Sequence, residues 1–268
     1  MALVGRRDGR NFGYGRQLSY AGYLRKQVEH GELAIATAQN RLSSVNRTIA
    51  ALRGDQYVKV PSASKALGMR RTSVRTASPQ GQDREQVTRI VEVLCENQQP
   101  RAAAIAQLAR ATGMRLREAI LADLPRLKRE AKINIQDGTK GGRSGASAPR
   151  WITVNDHIRD ALRFAEKVSP DDSRNLLAPN ERYLDFLQGV VRPARDILHQ
   201  HNLKGFHELR AAYACERYEQ ITCHLAPING GRCSQLDLRF DREARSQISY
   251  ELGHGRIDVI SAYIGGRQ

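Results

Sequence analysis

No apolar run in this 268-residue chain is long enough to cross a membrane as a helix, and Met1–Gly5 is too short to be a signal peptide, so no membrane partner is expected. Cysteine is scarce. Cys95, Cys215, Cys223 and Cys233 do not make a disulfide framework, which points to a reducing, intracellular compartment. No Cys-x-x-Cys pair is present, so Cys223, His224 and Cys233 are not expected to hold a metal, and neither a metal nor a cofactor is anticipated. The Gly-rich stretch around Lys140 lacks the Gly-Lys-Ser/Thr ending and following helix of a phosphate-cradling P-loop. Internal repeats are absent. Acidic residues are in deficit, 28 Asp and Glu against 43 Lys and Arg, for a net charge of +15.

That imbalance calls for a polyanionic partner, of which nucleic acid is the commonest. It is concentrated at one end: residues 1–80 hold 14 Lys and Arg against 4 Asp and Glu, the rest 29 against 24. Residues 1–16, rich in Gly and Arg, cannot bury a core and are expected to form a flexible basic arm. Residues 17–57 carry a helical pattern (Ile35, Ala38, Leu42, Val45, Ile49) broken near Gly31, and are expected to be a small helical DNA-binding domain. Arg41 and Arg47 lie off that apolar face, and Ser43, Ser44 and Asn46 are suited to phosphate contact. Residues 58–82 are expected to be a basic linker, with Lys65, Arg70, Arg71 and Arg75 among interleaved Ser and Thr. Contacts to phosphate position a protein without reading sequence, so no target site follows.

Residues 83–268 form the larger expected domain, mainly α with a small antiparallel β-sheet (α+β). Asp83 caps a helix bearing Val87, Ile90, Val91 and Leu94. A second helix spans 102–111, Gly113 breaks it, and a third runs from Arg115 to Leu124, ended by Pro125. Residues 131–137 and 150–154 read as strands joined by a glycine-rich loop holding Lys140 and Arg143. Helices follow near 156–167, 180–201 and 205–220, and 221–239 reads as a Gly-rich surface insertion or β-hairpin. In the last seventeen residues a turn leads to a short helix with Ile257, Ile260 and Ile264 on one stripe. Tyr263 lies beside the stripe, where it is expected to be presented rather than packed.

Five features recur in order: Thr112-Gly113-Met114-Arg115-Leu116-Arg117-Glu118, Lys140, His207-Glu208-Leu209-Arg210, Leu252-Gly253-His254, and Tyr263 nine positions after His254. Over roughly residues 80–268 this set resembles the tyrosine recombinases, the phage-integrase family, and more loosely the N-terminal part matches that family's helical core-binding domain. The separation between the His-x-x-Arg and Leu-Gly-His boxes is longer than the family usually shows.

The chemistry of these residue types is coherent. Breaking a phosphodiester without water or metal needs a nucleophile that conserves the bond energy, and a Tyr phenolate does so as a phosphotyrosine ester. Arg115 and Arg210 can each grip two non-bridging oxygens in a planar fork. His207 and His254 can donate to those oxygens or carry the nucleophile's proton. Lys140 is placed to protonate the departing 5′ oxygen, and Glu118, one turn after Arg115, to orient the cations. Tyr250 is the rival nucleophile but precedes the Leu-Gly-His box.

The resemblance assigns the same roles. It implies a C-shaped clamp on double-stranded DNA, a 3′-phosphotyrosyl intermediate, a tetramer joining two duplexes, an accessory directionality factor, integration or excision of a mobile element, and a bacterial cytoplasmic, nucleoid-associated location. Family members commonly carry a further segment after the tyrosine. Here five residues follow it, so either the sequence is truncated or protomers are expected to couple through other contacts such as 221–239. Two competing readings are a recombinase-derived regulator that clamps DNA without cutting and a type IB topoisomerase-like nicking-closing enzyme.

Overall fold

The computed structural model describes residues 12–60, 63–139, 150–232 and 237–267. Two compact units divide the chain, Met1–Thr72 and Ser73–Gln268. The first holds α1 (Tyr14–Glu29), α2 (Ile35–Arg53) and α3 (Ala63–Leu67). Its core joins Ala21 and Leu24 of α1 to Ala38 and Leu42 of α2, Leu67 of α3, and Val60. Gly31, in the left-handed region, lets the chain turn between α1 and α2. Asn46 is not offered to phosphate. Its side chain binds Gln17 and both backbone groups of Val60, securing a buried polar junction.

The expected linker is therefore mostly folded. Val58, Val60 and Leu67 are buried, because short apolar residues between the cations give that stretch something to pack. Residues 73–82 belong to the second unit. There the Arg75 N–H donates to the Ser261 carbonyl (2.9 Å), the Ser78 hydroxyl to the Ile228 carbonyl, and the Arg110 guanidinium to the carbonyls of Gly81 and Gln82.

The second unit is built on α5 (Pro100–Thr112), flanked by α4 (Arg84–Glu96), α8 (Asp156–Val168) and α11 (Phe206–Thr222). Alanines at 102, 103, 104 and 106 are buried, so neighbours can approach α5 closely from several sides. The helix after Gly113 is shorter than expected. It splits into α6 (Leu116–Leu121) and α7 (Leu124–Arg129). Pro125 starts α7 rather than ending a helix, because a first-turn residue has no intrahelical N–H bond to lose, and Asp123 caps it by accepting the Arg126 N–H.

β1 (Lys132–Asn134) and β2 (Trp151–Thr153) pair antiparallel with Ile133 opposite Ile152, both buried. The expected helix at 180–201 comprises α9 (Tyr183–Phe186), a π-helical turn over Leu187–Val191, and α10 (Arg192–Gln200). Pro193, which lacks an N–H, stands in the first turn of α10 directly after that wider turn. No strand occurs among the described residues of 221–239. Pro227–Asn229 form a single 3-10 turn, held by side-chain bonds between Asn229 and Gln82. α12 (Leu238–Glu251), a 3-10 turn (Ile257–Ile260) and α13 (Ser261–Ile264) complete the chain.

Candidate active site

Arg210 lies on the inner face of α11, wholly buried, and its guanidinium gathers the parts around it. Nη1 donates to the Gly113 carbonyl, Nη2 to the Leu252 carbonyl (2.7 Å), and Nε to the Tyr263 hydroxyl (3.3 Å). The two backbone acceptors sit at turns that only glycine allows. Gly113 has φ +66°, and a Cβ there would stand 2.6 Å from Tyr213 Cδ1 and 2.7 Å from Leu252 Cδ2. Burial, opposed by Tyr263 and joined by Arg150 and Arg115, lowers the Arg210 pKa to about 10, which leaves it charged at neutral pH.

Arg115 caps the N-terminus of α6 and is partly exposed. Glu118, fully buried, accepts both its backbone N–H (2.7 Å) and its Nη1 (2.6 Å). Burial pushes the Glu118 carboxyl up, but Arg150 and Arg115 prevail and hold it below its usual range. The Glu118 carboxylate also stands 3.8 Å from Arg210 Nη1, so it answers both catalytic-candidate arginines.

His254 follows the turn at Leu252-Gly253. Its Nε2 lies 2.9 Å from the Tyr263 hydroxyl and 3.2 Å from Arg210 Nη2. A guanidinium nitrogen can only donate, so Nε2 must be the acceptor and the imidazole proton sits on Nδ1. Tyr263 thus donates to His254 while accepting from Arg210, which opens a path for its proton. Burial first, then Arg210, Arg115 and Arg150, depresses the His254 pKa to about 3, so the ring is neutral and free to accept. His207 lies at the exposed rim, its ring centroid 5.5 Å from that of Tyr263. Desolvation by the cluster, then Arg210, lowers its pKa as well.

Tyr263 is 5 % exposed, so it is packed, contrary to the expectation from its position beside the isoleucine stripe. Its ring lies against His207 and His254 and beneath the Arg210 guanidinium, while the hydroxyl is spent on polar partners. Its helix is held at both ends: the Arg75 backbone N–H donates to the Ser261 carbonyl, and the Arg245 side chain donates through Nη1 to the Gly265 carbonyl (3.2 Å). Tyr250 is exposed and takes no part in the cluster.

Five expected residues, Arg115, His207, Arg210, His254 and Tyr263, are thus brought together with Glu118. Lys140 and Arg143 fall outside the described residues. Of the cations expected on DNA, Arg41, Arg47, Lys65, Arg70 and Arg71 are exposed. Arg75 is not a free charge: it is ion-paired with Glu208 (2.5 Å), the neighbour of His207. Sequence reasoning missed Arg150, buried in the cluster and bonded to Glu118.

The Integrase family model matches residues 73–216, which spans α4 to the second half of α11 and includes Arg115, Glu118, His207 and Arg210. The chain belongs to the integrase family. This tyrosine-recombinase membership accords with the shared fold of solved structures. A Tn1549 transposon integrase in complex with circular intermediate DNA shows 14 % identity over 94 % of this chain and 82 % of that one, with a TM-score of 0.54. A XerH site-specific recombinase bound to palindromic difH substrate, in a post-cleavage complex, shows 16 % identity over 94 % and 69 %, with a TM-score of 0.51. At such identities the likeness is one of fold. A search of curated protein sequences finds no match. In the integrase fold the α+β reading holds, with helices throughout and, among the described residues, one two-stranded antiparallel sheet. Among the described residues no helix is long and apolar enough to cross a membrane.

Proposed function

We propose that this tyrosine recombinase cleaves and rejoins DNA with Tyr263 as nucleophile, through a 3′-phosphotyrosyl intermediate, in the integration or excision of a mobile element. The observation that carries the reading is the short chain Arg210–Tyr263–His254, in which the hydroxyl donates to a neutral imidazole and accepts from a guanidinium. Once the bound phosphate offsets the arginine charges that depress His254, proton transfer from Tyr263 to His254 Nε2 frees the phenolate, which attacks phosphorus. The bond to the 5′ oxygen then breaks, and that oxygen takes a proton from Lys140. Arg115 and Arg210 neutralise the oxygens of the phosphorane, with His207 donating from the rim. Religation runs the same steps backward with a different 5′ hydroxyl.

The basic N-terminal unit supplies phosphate contacts through Arg41, Arg47, Lys65, Arg70 and Arg71, joined by Arg143 in the larger unit. A tetramer bridging two duplexes, aided by an accessory directionality factor, is the working assembly, and the bacterial nucleoid its place of action. Mass measurement on DNA would report that stoichiometry. The chemistry is tested by incubating the protein with a nicked suicide duplex carrying its element end, then denaturing. A covalent protein–DNA adduct is expected, and Tyr263→Phe should abolish it with DNA binding retained. An adduct that persists in Tyr263→Phe would refute the assignment.

A further inference from the structure

Arg150 is 1 % exposed, the first residue before β2, and no step of the reaction above uses it. Its side chain joins two separate parts of the site. Nη1 forms an ion pair with Glu118, the carboxylate that holds Arg115. Nε donates to the carbonyl of Glu251 (2.9 Å), the residue that enters the Leu252-Gly253-His254 turn. Its own backbone N–H is fixed by the Asn134 side chain (3.0 Å), and its carbonyl accepts from Ile135 (3.1 Å), so the guanidinium is held from the β1–β2 pair. Gly253 is shaped around it: a Cβ there would stand 2.3 Å from Arg150 Cδ. The glycine of the Leu-Gly-His box therefore makes room for this arginine as well as for the turn.

We infer that Arg150 is a positioning residue for strand cleavage, setting Arg115 through Glu118 and His254 through the Glu251 carbonyl, and so locking both to the β1–β2 pair. This rests on the reaction proposed above. No hydrogen bond joins the guanidinium to Tyr263 or His254, so beyond the field of its charge on His254 it acts through the residues it holds. A lysine keeps the charge but has a single nitrogen, which cannot stand at both the Nη1 and the Nε positions that bond Glu118 and the Glu251 carbonyl.

The test measures single-turnover adduct formation on the nicked suicide duplex, with DNA affinity and melting temperature recorded on the same samples. Arg150→Gln should slow adduct formation about 100-fold, the scale at which a displacement of roughly 1 Å acts, and change affinity less than about threefold. Arg150→Lys should fall between it and wild type. Glu118→Gln combined with Arg150→Gln should be no slower than the worse single variant, because both act on one chain of contacts. If Arg150→Gln does not fold, the Arg150→Lys and Glu118→Gln pair carries the same comparison. An Arg150 variant as fast as wild type, or losses that multiply in the double variant and track the melting temperature, would overturn the inference while leaving the reaction intact. A wild-type protein that forms no adduct would instead defeat the reaction itself, and this inference with it.

Discussion

One nitrogen of His254 faces two donors, and that fixes how acid acts on the protein. Its pKa, about 3 when folded, returns to the ordinary histidine value of about 6.5 on unfolding. Between those limits the unfolded chain binds a proton that the folded one refuses, so stability falls as pH drops below about 6.5. His207, shifted in the same direction, adds to this. Glu118 works in a lower window, since its depressed carboxyl loses its contribution only as pH falls below the ordinary glutamate value of about 4.3. Urea midpoints measured from pH 7.5 to 5 should therefore decline in the wild type and decline less in His254→Gln. Gly113 makes a second prediction. Alanine there would meet Tyr213 and Leu252 and sit in the left-handed region, and should destabilise by about 3 kcal/mol in urea unfolding. At this scale the sequence was informative where spacing carries geometry: His207 and Arg210, three apart, fall on one helical face. It was uninformative for Arg150, since an arginine before a strand looks like any surface charge until the partner carboxylate, 32 residues away, is known.

Among the elements, the stretch 73–82 matters most. Read from composition it was a linker, because Ser, Thr and Arg dominate it and no periodicity marks its bonds. In the structure its backbone is committed to α11 and α13, and the Ser78 and Gln82 side chains to the 3-10 turn at 227–229. Glu208 is the fastening point, accepting from both the Arg75 guanidinium and the Gln80 N–H (3.0 Å). Replacing Glu208 with Gln should cost about 2 kcal/mol, the range for a hydrogen bond to a charged group, and should speed hydrogen exchange at Gln80. Unaltered exchange there would show that the stretch is held by its other bonds. Pro125 was misread for a related reason, and of the two readings of 221–239, a surface insertion or a β-hairpin, the hairpin finds no strand among the described residues. Proline serves the first turn of a helix as readily as it ends one, and Gly-rich composition marks a turn without saying whether strands flank it. The two strands, the Asp83 cap, the apolar stripe of α4 and the helix near 156–167 were legible because each rests on local pattern alone.

For the whole molecule, charge governs the encounter with DNA. Arg41, Arg47, Arg70 and Arg71 are exposed and form no ion pair among the described residues, so each is available to a phosphate. Affinity should fall steeply with salt, and neutralising one arginine that touches phosphate should lessen the log–log slope by about 0.9. Arg75→Gln should leave the slope unchanged, because that cation is already committed to Glu208. The cluster around Tyr263 bears on the molecule as a whole in another way. Arg115, Arg150 and Arg210 surround a single carboxylate, Glu118, so the resting protein confines more positive than negative charge where solvent screens it least. In the proposed reaction the scissile phosphate supplies the missing counter-charge. Function and stability are therefore opposed here: selection for strand cleavage maintains a fold that is less stable than its sequence could make it, and substitutions that relieve the crowding should be recovered readily in a screen for heat resistance, each at the expense of recombination.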